Sequence, residues 1–152
     1  MNAYPEVPDP AASTGPTRPA LSGRSDVETL VEAFYRTAFA DPLIGPIFTD
    51  VARMDLAAHM PRMCDFWESV LFRAGTYHGN ALRPHMELNR LTTLRDEHFT
   101  RWVSIWTATV DSLFVGEAAE VAKLQAQRVS ASLQRRLCGG GLLSLPSTVP
   151  RL

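Results

Sequence analysis

The chain has 152 residues, 45% of them hydrophobic and 20% charged, with a formal charge of -1 at neutral pH, the composition of a single soluble domain with one sizeable core. Charges of both signs are interspersed, so neither a basic face for nucleic acid nor an acidic tail stands out. Cys64 and Cys138 lie far apart without C-x-x-C spacing, which excludes a disulfide framework and suits a reducing compartment. No run approaches the ~20 apolar residues of a membrane span, and the expected location is cytoplasmic.

Residues 1–23 hold five of the eleven prolines and show no hydrophobic period, so a disordered tail is expected there. Residues 138–152 open on a glycine run after Cys138 and close with two prolines, a second expected tail. Residues 24–137 form the expected domain, and their spacing is helical, without period-two alternation between hairpin turns. Ser25, Asp26, Val27 and Glu28 suggest a capping box. Val27, Leu30, Val31, Phe34 and Ala38 then share one face until Asp41-Pro42 ends the first helix. The corner from Asp41 to Phe48 is punctuated by proline and glycine, but Leu43, Ile47 and Phe48 are too apolar for water and must pack inward.

A second helix is expected from about Asp55 to Arg73, with Leu56, Met60, Met63, Trp67, Val70 and Leu71 at helical spacing. Pro61 falls inside it and costs about 3 kcal/mol in a helix interior, leaving open whether His59 turns into or out of the core. A polar, glycine-containing loop follows from Gly75 to Arg83, then a short helix from about Pro84 carrying His85, Met86 and Leu88. The third long helix, about Thr93 to Phe114, carries Phe99, Trp102, Val103, Trp106, Val110 and Leu113. The last, about Glu117 to Leu137, carries Ala122, Ala126, Val129, Leu133 and Leu137. The fold class is all-α.

Phosphate-loop, dinucleotide, nucleophile-elbow and zinc signatures are absent, and no Glu-x-x-His pair suggests a di-metal bundle. Chemistry therefore falls to histidines and aromatics. A lone histidine in an apolar pattern is more often structural than a ligand, Trp102 and Trp106 are ordinary core filling, and a cofactor-free helical interaction module would have the same composition. On the His59 face, Met63 and Phe66 follow at four and seven residues, a wall for a flat apolar ligand with Arg62 at its edge. Cys64 is expected to be a buried small hydrophobe, and His78 and His98 to be loop and helix-surface residues.

The ordered set changes this balance. Phe34-Tyr35, the Asp41 to Phe48 corner, His59 with Asp65-Phe66-Trp67, Tyr77-x-Gly79, His85, and His98-Phe99-x-x-Trp102 together resemble the truncated haemoglobins of group III over residues 26–137. The resemblance implies a 2-over-2 globin sandwich around haem b, in which the segment bearing the iron ligand is mostly loop. It makes His85 the proximal iron ligand and Tyr35 and Trp102 distal donors. It places His59 on the distal helix beside Met63 and Phe66, and Phe34 and Phe48 against the porphyrin. Arg62, with Arg83 and Tyr77 behind it, would meet the propionates. The implied activity is binding of O2, NO or CO, with nitric oxide dioxygenase-like or peroxidase-like redox chemistry preferred and oxygen carriage, storage or sensing as the alternative. A monomer with an unidentified reductase partner is expected.

Overall fold

The computed structural model describes residues 17–73, 75, 77, 79 and 81–138. Five α-helices carry the fold: α1 (Gly23–Ala40), α2 (Leu56–Phe72), α3 (Leu82–Leu91), α4 (Asp96–Leu113) and α5 (Glu117–Cys138). The described residues contain no β-strand beyond an isolated bridge between Ala20 and Val115. Helices α1 and α2 pack as one pair and α4 and α5 as another, with α1 also meeting α4 and α2 and α3 reaching α5. This is the all-α, two-over-two architecture.

Each helix forms where its apolar period and its end chemistry agree. Val27, Leu30, Val31, Phe34, Tyr35 and Ala38 of α1 are all buried, one continuous stripe at three- and four-residue steps. The expected capping box is displaced by three residues: Ser22 is the N-cap, and its backbone N–H donates to the Asp26 carboxylate at 2.8 Å. Ser22 has neighbours to lean on, because the Val115 N–H donates to Pro19 O at 2.9 Å and Leu21 is buried. Residues 19–22, counted by composition with the N-terminal tail, thus dock on the α4–α5 junction. Cys138, counted with the second tail, ends α5 with its thiol donating to Leu94 O. Residues 1–16 and 139–152 lie outside the described residues.

The corner after α1 turns on Asp41, whose Oδ1 accepts from the N–H groups of Leu43 and Ile44 at 2.9 and 3.0 Å, an Asx turn that replaces the lost helical bonds. A π-helical turn, Ile47–Val51, follows. As expected, the corner packs inward: Ile44 and Ile47 are buried, and Phe48 meets the rings of Tyr35 and Phe39. Asp55 caps α2 by accepting from the Ala58 N–H, and Pro61 sits within an unbroken helix. Pro61 is the sixth residue of the helix, past the first turn, so its missing N–H leaves the Ala57 carbonyl without its intrahelical donor.

The start of α1 is tied to α2 by Arg24, which pairs with Asp65 at 2.6 Å and Glu68 at 2.8 Å. The buried residues of α5 are Ala119, Ala122, Ala126 and Ser130, small enough to let α4 approach closely. The Trp106 indole then donates to Ala122 O at 3.1 Å.

Candidate functional site

The two pairs of helices do not close completely. A cavity of ≈ 320 Å³ runs between them, bounded by α1, the π-helical turn, α2, α3, α4 and α5, at the small end of ligand-binding volumes. Of the residues singled out for a site, Phe34, Tyr35, Phe48, His59, Arg62, Met63, Phe66, Tyr77, His85 and Trp102 line it, and Arg83 does not. Its wall is otherwise mostly apolar.

The orientation of His59, open from the sequence, is inward. Nε2 of His59 lies 3.0 Å from the Tyr35 hydroxyl, and the two rings meet edge to face. Burial lowers the His59 pKa from its ordinary value, and the Arg62 and His85 charges push the same way, so the ring is held neutral. Tyr35 is 5% exposed, and burial, followed by the nearby Cys64, raises its pKa. The phenol therefore keeps its proton. Two neutral groups share one hydrogen bond, whose direction follows the His59 tautomer.

His85 is fixed from the other end of its ring. Nδ1 lies 2.6 Å from Ala81 O, and since a carbonyl only accepts, Nδ1 carries the hydrogen; in the neutral ring the lone pair is then on Nε2. Ala81 is the N-cap of α3, so the start of a ten-residue helix orients the ring. The helix begins at Leu82, two residues before the expected start, and Pro84 occupies a first-turn position where no intrahelical N–H is needed. The sequence pattern that located His85 could not reveal this carbonyl.

The three tryptophans separate by role. Trp106 is 1% exposed, stacks on Trp67 at 4.2 Å and spends its N–H on Ala122. Trp102 lies at 6.3 Å from Trp106 in a nearly parallel plane and lines the cavity with no hydrogen bond to its indole among the described residues. At the edge, Arg62 is exposed, and Tyr77 is anchored by its backbone N–H on Ser69 Oγ and by its ring against Phe66. Arg83 is not part of the lining; it extends from α3 toward Glu87 at 3.6 Å. Cys64 is 1% exposed and burial pushes its thiol pKa up, so it behaves as core.

His98 departs from its expected place on the helix surface. It is half-buried, lines the cavity, and accepts the Arg95 N–H on Nδ1 at 2.9 Å. Leu94, Phe99, Val129, Ser130 and Leu133 also line the cavity without having been singled out. The helical spacing of Phe99, Val129 and Leu133 gave only a core signal, and Leu94 and Ser130 gave none. His78 lies outside the described residues. Among those described, no cluster of three or more metal-binding side chains occurs.

The fold can be compared directly with known proteins. Over 117 residues the chain is 24% identical to the group 3 truncated hemoglobin of Campylobacter jejuni subsp. jejuni, covering 75% of this chain and 90% of that one. A crystal structure of group III truncated hemoglobin from Campylobacter jejuni matches with a TM-score of 0.70 and 23% identity, over 80% of this chain and 95% of that one. The chain has the truncated-globin fold. No family model matches it. Both comparisons return the group whose ordered residues the sequence resembles. In truncated-globin terms α1 and α2 form one layer and α4 and α5 the other, with α3, which carries His85, packed on α5. No helix among the described residues is long and apolar enough to cross a membrane.

Proposed function

We propose that the chain is a haem protein of the group III truncated haemoglobin kind, holding haem b in the cavity with His85 as the iron ligand. The observation that carries this reading is the Ala81 carbonyl on Nδ1 of His85. It makes Nε2 the lone-pair nitrogen of the neutral ring, in a cavity of otherwise mostly apolar walls, and a neutral imidazole whose second nitrogen is held by a carbonyl is the usual state of a histidine metal ligand. Haem, once bound, supplies a redox-active iron with an open position for O2, NO or CO.

This chain's residues supply the rest. Phe34, Phe48, Met63 and Phe66 give apolar contact for a flat macrocycle and keep water out. Arg62 has no ion pair among the described residues and, with Tyr77, provides cationic and hydroxyl partners for carboxylates at the edge. Tyr35, held in place by His59, and Trp102 provide hydrogen-bond donors for a polar diatomic ligand. Each such donor in a dry site stabilises developing charge by about 1.5–3 kcal/mol. A site with two of them releases its ligand slowly, which suits redox use, such as nitric oxide oxidation or peroxide chemistry with an external reductase, better than delivery.

The test is reconstitution. Titration of the purified chain with haemin is expected to give an intense Soret band at one equivalent, which His85→Ala abolishes or converts to a weakly ligated form. Failure of the wild-type chain to take up haem would favour a cofactor-free helical module and end this reading.

A further inference from the structure

The backbone gives the neutral rings of His98 and His85 opposite tautomers. The Arg95 N–H donates to Nδ1 of His98, so that nitrogen must present a lone pair and the ring hydrogen sits on Nε2. Both rings line the cavity, His98 with its N–H on Nε2 and neutral His85 with its lone pair there. A nitrogen already carrying hydrogen does not ligate a metal, which sets His98 apart from His85 although both line one cavity. His98 is also half-buried, while its neighbours Leu94 and Phe99 are buried. The donor therefore stands where the apolar lining gives way to solvent, the place at which a mostly apolar ligand has to carry its polar end.

We propose that His98 binds a carboxylate at the edge of the cavity through Nε2–H, and that this carboxylate is one of the two propionates of haem; the proposal rests on the haem reading above. Arg62 belongs to α2 and His98 to α4, so the two donors come from different layers and suit two carboxylates. The acidic side chains flanking His98 are turned to other partners: Asp96 accepts from Gln134 at 2.7 Å, and Glu97 faces Arg95 at 3.8 Å. The hydrogen bond that caps α4 is the one that aims the donor, which makes capping and cofactor binding two uses of a single ring.

Esterified cofactor provides the test. Wild type, His98→Glu and His98→Phe are each reconstituted with haemin and with haemin dimethyl ester, and loss of the cofactor to excess apoglobin scavenger is timed. Glutamate at this helical position still accepts the N-cap N–H, so His98→Glu is expected to melt like wild type without haem. Esterification is expected to speed loss from wild type by about tenfold more than from His98→Phe, the loss of one charge-assisted hydrogen bond. In His98→Glu the order reverses in part, because the ester relieves repulsion between carboxylates. Equal ester effects in all three proteins would overturn the role of His98 and leave the haem reading standing. Absence of a Soret band in wild type would overturn both.

Discussion

The Tyr35 hydroxyl and Nε2 of His59 lie 3.0 Å apart inside the cavity, each supplying the partner that burial would otherwise deny the other. Tyr35 is packed edge to face by Phe34, Phe39, Phe48 and His59, so removing its oxygen leaves its ring held. Tyr35→Phe is therefore expected to fold normally and to change ligand release. In the haem-loaded protein, stopped-flow oxygen dissociation is expected to accelerate by about 10- to 100-fold, the loss of one donor of about 1.5–3 kcal/mol. An unchanged rate would favour oxygen carriage and remove Tyr35 from the ligand's surroundings.

His59 also sets a pH dependence. Its folded-state pKa lies below the ordinary histidine value, through burial first and then the Arg62 and His85 charges. Between the two values the unfolded chain binds a proton that the native chain refuses, so stability rises with pH across that window. The contribution is complete above about pH 6.5 and is lost as pH falls. Thermal melts of the haem-free chain from neutral to mildly acidic pH are expected to fall more steeply for wild type than for His59→Phe. Parallel curves would mean that His59 is as easily protonated in the native chain as in the unfolded one.

The two stacked tryptophans are expected to divide stability from ligand chemistry. Trp106→Phe removes a buried hydrogen bond to Ala122 O and the stacking on Trp67, at a cost of about 1–3 kcal/mol, or roughly 5 °C in melting temperature per kcal/mol. Trp102→Phe is expected to move the melting temperature less and oxygen dissociation more. The reverse pattern would exchange their roles.

These tryptophans also mark how much the sequence revealed. Periodicity placed α1, α2, α4 and α5 within a few residues, because each buries a stripe that repeats at three and four. The residues of the cavity were legible as an ordered set, Tyr35, Phe48, His59, His85 and Trp102, even though each alone was ambiguous. Backbone partners were not legible. Nothing in the pattern distinguishes Trp106, whose N–H finds the Ala122 carbonyl on another helix, from Trp102, which lines the cavity. The same gap hid His98: a helix-start histidine looks solvent-facing until the Arg95 N–H shows which nitrogen is occupied. Ser22 displaced the expected cap because residues 19–22 dock through contacts with Val115 that lie far away in sequence.

Arg24 carries the most concentrated set of ion pairs, with Asp65, Glu68 and Glu28 around one guanidinium that is 35% exposed. The hydrogen bonds it donates to Asp65 and then Glu68 raise its pKa against the opposing cost of burial. Partial exposure screens the charges, so Arg24→Leu is expected to cost about 1 kcal/mol at low salt. The difference from wild type is expected to shrink as salt is raised. A salt-independent loss would assign Arg24 a packing role on α2.

Gly45 tests whether the corner after α1 is held by contact or by backbone freedom. Its φ is not positive, but a Cβ there would lie 2.5 Å from Phe39 O and 3.2 Å from Ala38 O, backbone atoms at the end of α1 that cannot rotate away. The Gly45 N–H also donates to Asp41 O at 2.8 Å, which fixes the corner against that helix. Gly45→Ala is expected to cost about 1–3 kcal/mol by pushing the corner outward. Because Phe48 follows on the π-helical turn and lines the cavity, haem loss is expected to quicken as well. Gly23→Ala is the contrast: its φ of 68° is strained for any side chain but nothing stands within 4 Å, and the expected cost is about 1 kcal/mol with no effect on haem. If the two substitutions melt alike and retain haem equally, close contact at Gly45 does not position Phe48.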